Sequence, residues 1–260
     1  MVLERLLSGK RNRKQPMLIF FLSILISIIS LFISYTVFKE NTGLFTVVII
    51  SLIMVPFMNT MMRYEEAETE ESGRNEGFFK RHGDIILAYT ALFLGMIFAM
   101  SIVFVILPDG VVEKVFDQQV AEVKLIQGKF TFGSQFLDIL ANNFSVLMLA
   151  FLFSFLLGTG AVLIISWNAS VLSAAIGLIA KSLGGISGIP VAVLTFIPHG
   201  SFEILAYFIG SIAGGLVSVA VMRKKSNNFW YIVKDSFALM IIAFVCLLIG
   251  GVIETFLIMA

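Results

Sequence analysis

His199 and Glu203 are the residues of this chain best suited by type to do chemistry. They stand four apart in Pro198-His199-Gly200-Ser201-Phe202-Glu203. On a helix that spacing puts both on one face. An imidazole beside a carboxylate can pass a proton, and the carboxylate could activate water with the imidazole as its acid–base partner. The same pair can also bind an ion or tie helices together. The motif opens an apolar run, and a charge at membrane depth costs roughly 2.5–3.5 kcal/mol on insertion scales. Such a pair therefore has a partner, a water-filled cavity or a job.

The elements that must position it are membrane helices. Hydrophobic residues make up 58% of the chain and charged residues only 13%, and the mean hydropathy is +0.99. That balance lies outside the range of a soluble domain. The apolar runs are continuous rather than alternating, which excludes a barrel, and several reach the roughly 20 residues a helix needs to cross hydrocarbon. The expected fold is an all-α polytopic bundle of six to seven spans, forming one transmembrane domain over residues 1–260. The spans read as 17–38, 44–62, 85–107, 144–165, 169–181, 200–222 and 237–259. The run after Phe144 is too long for one crossing. It is divided at Ser166-Trp167-Asn168, where polar residues and an interfacial tryptophan point to a turn. Between Gly184 and Pro190 the glycine-rich stretch breaks the chain again, and Val191 to Ile197 is too short to span. It is expected to be a re-entrant half-helix, which needs burial in protein or a cavity to line.

Lysine and arginine placement sets the orientation. With seven spans, 13 of the 18 fall on the side of the N-terminus. These include Arg5, Lys10, Arg11, Arg13 and Lys14, then Arg74 and the Arg223-Lys224-Lys225 cluster. The N-terminus is expected in the cytoplasm and the C-terminus outside, in a multi-pass protein of the cell membrane. The first apolar run reads as a signal anchor, since no small-x-small cleavage site follows it. The cytoplasmic loop 63–84 carries Glu65, Glu66, Glu68, Glu70 and Glu71. A solvated helical extension or loop explains it without a binding role. The external segment 109–141 has helical apolar spacing at Val111, Val115, Phe116, Val120 and Val123, so it should lie on the outer membrane surface or pack on the bundle.

This topology brings distant polar residues to one depth. Asn142 and Asn143 head span four, His199 and Glu203 head span six, and Glu254 ends span seven. They are the expected polar centre in the outer leaflet. Competing explanations are ordinary: Asn caps helices well, Pro198 suits a helix start, and Glu254 can snorkel. Ala206, Gly210, Gly214 and Ser218 continue the His199–Glu203 face at four-residue spacing, a small-xxx-small stripe that lets a second helix approach closely. Gly158, Gly160 and Gly177 are the expected opposing surface.

Much chemistry is excluded. Neither His-Glu-x-x-His, nor a Walker A loop, nor Gly-x-Ser-x-Gly is present. Two histidines and Cys246 alone leave little for a metal site, and a single cysteine forms no intrachain disulfide. No enzyme activity, metal or cofactor is expected. Basic clusters only flank apolar runs, so nucleic acid is not a partner. The expected partners are the lipid bilayer and membrane or peripheral proteins, and a homo-oligomer is open.

The order Asn142-Asn143, Gly158 and Gly160, Asn168 with Gly177, then Pro198-His199-Gly200 with Glu203 and an Ala/Gly-rich helix resembles the stage II sporulation protein M family. The resemblance covers Phe136 to Met222. It implies a multi-spanning membrane protein that does not bind ATP and, in spore formers, a scaffold that anchors cell-wall hydrolases. It marks Asn142, Asn143, Asn168, His199, Gly200 and Glu203 as family-type positions. A scaffold or assembly subunit is thus the first expectation. A transporter or permease-like component is the second, from the broken helix beside polar groups. An intramembrane hydrolase using Glu203 and His199 is the third.

Overall fold

The computed structural model describes residues 16–72, 78–129, 135–222 and 229–259, with side chains at 16–63, 82–126, 136–221 and 229–258. Among these there is no strand. Nine α-helices follow one another: α1 Pro16–Val37, α2 Thr42–Ser72, α3 Phe78–Ile106, α4 Asp109–Val115, α5 Asp117–Lys129, α6 Gln135–Leu157, α7 Ala161–Ser182, α8 Ile189–Met222 and α9 Phe229–Met259. Seven of them (all but α4 and α5) are long and apolar enough to cross a membrane. The described connections α1–α2, α6–α7 and α7–α8 are short and turn the chain back on itself. The end where α1 begins is called proximal here, and the other end distal.

Two packed groups share one core. α1, α2, α3 and α7 form the first, and α6, α8 and α9 the second. Glycines set the close approaches. In the first group Gly95 of α3 sits on the Phe20 carbonyl and Ser23 of α1, and Gly177 of α7 sits on the Phe104 ring of α3. In the second, Gly210 and Gly214 of α8 receive Leu147 and the Phe151 backbone of α6, with Ala206 and Ser218 buried on the same stripe. The stripe's partner is therefore α6, not the glycines at 158, 160 and 177. Small residues here face bulky ones, so the surfaces interdigitate instead of matching glycine with glycine.

The break in the long run after Phe144 lies elsewhere than its polar residues indicate. α6 ends at Leu157 and α7 begins at Ala161, with Gly158 at φ +75 making the turn beside Asn59. Ser166, Trp167 and Asn168 lie inside α7. Of their polar groups the helix itself absorbs the Asn168 amide, which donates to the Ile164 carbonyl at 2.8 Å. The neighbouring Ser170 hydroxyl likewise donates to the Trp167 carbonyl at 2.7 Å, while the buried Ser166 hydroxyl has no hydrogen-bond partner. A hydroxyl or amide that bonds back one turn needs no turn in the chain.

No half-helix precedes the sixth span. Gly184 and Gly185, at φ +97 and +90, turn the chain after α7. A short 3-10 turn, Gly185–Gly188, then leads into α8, which runs unbroken through Pro198 to Met222. Proline removes one backbone donor from a helix, yet here the helix continues past it. His199 and Glu203 consequently lie in the middle of a 34-residue helix, not at its start. Asn142 and Asn143 are likewise two turns inside α6, so neither caps it.

Other boundaries shift in the same sense. α2 extends to Ser72 and α3 starts at Phe78, so most of 63–84 is helical backbone, with the glutamate side chains outside the described residues. Arg5 to Lys14, Arg74 and Arg223 to Lys225 also lie outside them. α9 begins at Phe229, eight residues before the expected span. The distal segment packs on the bundle as two helices broken at Phe116, and 135–141 belongs to α6. Val112, Val115, Phe116, Gln119 and Val123 are buried there. The Gln119 amide donates to the Ser170 hydroxyl at 3.3 Å, and the Gln118 amide to Asn41 at 2.8 Å. The Lys181 ammonium closes the segment onto α7 through Asp109 and the Leu107 carbonyl.

Candidate functional site

Asn143 faces Glu203 because α6 and α8 run side by side along the glycine stripe. Their contacts step together, from Asn143 with Tyr207 through Leu147 with Gly210 to Phe151 with Gly214. α9 returns antiparallel on the other side of α8, its Ser236 hydroxyl donating to the Ala213 carbonyl at 2.8 Å. At the distal end of that contact α9 presents Gly250 and, one turn on, Glu254. A Cβ at position 250 would stand 2.9 Å from Glu203 Cγ and 3.3 Å from the His199 carbonyl oxygen. Only glycine leaves room there for the Glu203 side chain.

The result is a hydrogen-bonded centre among three helices. The Asn143 amide Nδ2 donates to Glu203 Oε1 at 2.7 Å. The Tyr207 hydroxyl donates to Asn143 Oδ1 at 2.9 Å, and Asn142 Nδ2 approaches the same oxygen at 3.4 Å. The Glu254 carboxyl, one turn beyond Gly250, stands beside the Glu203 carboxyl. Asn143 and Tyr207 are buried, and Glu203 and Glu254 partly so. The tyrosine fixes the asparagine: with Oδ1 taken by a phenol donor, only the amino side can face Glu203.

Asn142, Asn143, Glu203 and Glu254 thus come together, and His199 stands beside them without joining. Its imidazole does not bond Glu203 one turn away. It rests near the Phe196 ring, 6.1 Å between centroids, and its buried Nδ1 has no hydrogen-bond partner. Asn168 is apart from the centre, bonded within α7. Gly200 is also apart, on another side of α8. There it lines a cavity of about 320 Å³ between α3, α7 and α8, with Thr90, Phe93, Ser201, Ile204 and Phe208. No residue of the polar centre lines this cavity.

Sequence reasoning missed Tyr207 and Gly250. Both carried a signal. Tyr207 follows Glu203 at i+4, and a tyrosine in an apolar helix usually finds a partner for its hydroxyl. Gly250 precedes Glu254 at i−4, which clears one face of α9 beside its acid. A second ionisable pair was missed as well. Near the proximal end, His82 Nε2 of α3 stands 3.3 Å from Asp235 Oδ2 of α9, both buried. His82 falls in the loop expected at 63–84 and Asp235 just before the span expected at 237–259, so both lie outside the expected spans.

Comparison with known proteins adds a family. The family model described as Stage II sporulation protein M matches residues 17–257. No curated protein and no solved structure matches the chain.

Proposed function

Because the chain belongs to the stage II sporulation protein M family, we propose that this multi-pass membrane protein is a scaffold that anchors or organises partner proteins at the cell membrane. The observation that carries the reading is the closure of the polar centre. Asn143, Glu203 and Tyr207 bond one another between α6 and α8, beside Glu254 of α9, and do not line the cavity. A network satisfied in this way fixes the relative placement of helices, which is what an assembly platform requires. Partners are membrane or peripheral proteins, or a second copy of this chain. The bias of lysine and arginine supports a cytoplasmic proximal end and an external distal end. A cysteine at Lys124 should then react with an impermeant reagent from outside, and protection there overturns the orientation.

The test compares assembly with flux. A photocrosslinking residue at Phe237, exposed on α9, is expected to give discrete cross-linked species in native membranes. An Asn143→Leu chain that still inserts should lose them. The scaffold reading falls if the cross-links persist unchanged while the same variant, or Glu203→Gln, loses solute flux in proteoliposomes. That outcome would favour the second reading, a transporter or permease-like component, whose support is the meeting of the two glutamates inside the helix group.

A further inference from the structure

We propose that Glu203 and Glu254 form a proton-binding site, one proton being held between the two carboxyl groups at the junction of α6, α8 and α9. The inference goes beyond the scaffold reading and does not depend on it.

Three observations carry it. First, the polarity of the network is set from outside the pair. Tyr207 donates to Asn143 and Asn143 donates to Glu203 Oε1, so Asn143 offers no acceptor and Glu203 Oε1 is an acceptor. α9 brings Glu254 beside Glu203, since a Cβ at Gly250, one turn before Glu254, would stand 2.9 Å from Glu203 Cγ, so that a carboxyl faces a carboxyl. Two carboxylates in such contact cannot both ionise, and a shared proton resolves the conflict. Second, no fixed cation is at hand on these helices. α6 and α8 contain no lysine or arginine, and α9 contains only Lys234, at the far end from Glu254. The other titratable groups on the distal parts of the three helices are Asp138 on α6, His199 and Tyr207 on α8, and Cys246 on α9. Third, His199, one turn from Glu203 toward the distal end, leaves its buried Nδ1 without a hydrogen-bond partner, so the imidazole nearest the pair is not tied to it through that nitrogen.

A metal ion fits less well. Sodium or calcium takes several oxygen ligands, calcium six to eight, whereas the free Asn143 oxygen is already used by Tyr207. Among the described residues no group of three or more His, Cys, Asp or Glu is placed to hold a metal. Binding is a simple proton transfer: one proton leaves a hydronium ion, a water is released, and the pair passes from two negative charges to one.

The experiment is difference infrared spectroscopy of the full chain in lipid, with isotope-labelled glutamate. At neutral pH the wild type should show a protonated-carboxyl stretch that shifts in heavy water. The E203Q/E254Q chain should lack it. If that chain does not fold, E254Q alone decides: Glu203 then accepts from Asn143 and from the new amide, ionises, and the band disappears. A wild type without the band overturns the proposal, as does a band that survives in the double variant or, where the double variant does not fold, in E254Q. Cross-linking from Phe237 is scored on the same preparations. A band without partner cross-links leaves the proton site and sinks the scaffold, and cross-links without a band do the reverse.

Discussion

At the distal end a carboxyl meets a carboxyl, and near the proximal end a carboxyl meets an imidazole. α9 supplies an acid to both, Glu254 and Asp235, 19 residues and so about 28 Å apart along the helix. The proximal pair, His82 with Asp235, contains an acid and a base and can balance its own charge. The distal pair contains two acids, and among the described residues α6 and α8 add an amide and a phenol but no lysine or arginine. The distal centre is therefore a network that needs four side chains on three helices, while the proximal contact bridges α3 and α9 directly. Burial makes a partner necessary in both places, and the types of side chain decide what each partner can do.

Substitutions can break this contrast in order of size. Asn143→Leu is expected to cost most, about 2–3 kcal/mol, because it orphans the Tyr207 hydroxyl and strips Glu203 of its donor together. Thermal unfolding in lipid or detergent would show it, and a loss below about 0.5 kcal/mol would mean that water replaces the amide freely. Gly250→Ala should follow, at about 1–2 kcal/mol, since the new Cβ must displace the Glu203 stem. The closest atom, Glu203 Cγ, belongs to a side chain that can shift, which keeps this below the asparagine change. At the other end, a double-mutant cycle of His82→Gln and Asp235→Asn should give a coupling of about 1 kcal/mol. The same cycle between Asp235 and Glu254 should give additivity, because 28 Å exceeds the range of direct coupling. Coupling between the ends would join the two sites into one functional unit. Smallest is Asn168→Ala, within about 0.5 kcal/mol, for its amide bonds only its own helix.

Asn168 also explains where sequence reading stopped. Ser166-Trp167-Asn168 looked like a turn because polar residues in an apolar run usually mark an interface. Inside the helix the Asn168 amide bonds to a carbonyl one turn back, and the run continues. The true turn depends on Gly158 at positive φ, a backbone property that hydropathy does not register. Pro198 misled in the opposite direction. It marked a helix start, yet α8 was already ten residues long when it reached the proline, starting from Ile189. The face of His199 and Glu203 was legible from four-residue spacing, and so was the small-residue stripe below it. Its partner was not, because what fills a glycine notch is set by the shape of another helix.

The sequence by itself determined that this is a helical membrane protein. Long apolar runs admit no other way to satisfy a backbone in hydrocarbon. It also determined that Asn142, Asn143, His199, Glu203 and Glu254 were costly enough to require an account, and the family could be read from their order. Only the tertiary structure decided the pairing. Asn143 reaches Glu203 across 60 residues of chain, Tyr207 turns the asparagine's amide, and Gly250 admits the carboxyl beside Glu254. His199 was left out of the network it seemed to lead. The physical reason is that hydrogen bonds are short and directional. Spacing along a helix selects a face, but which group on that face is satisfied depends on the neighbouring helices that come within 3 Å.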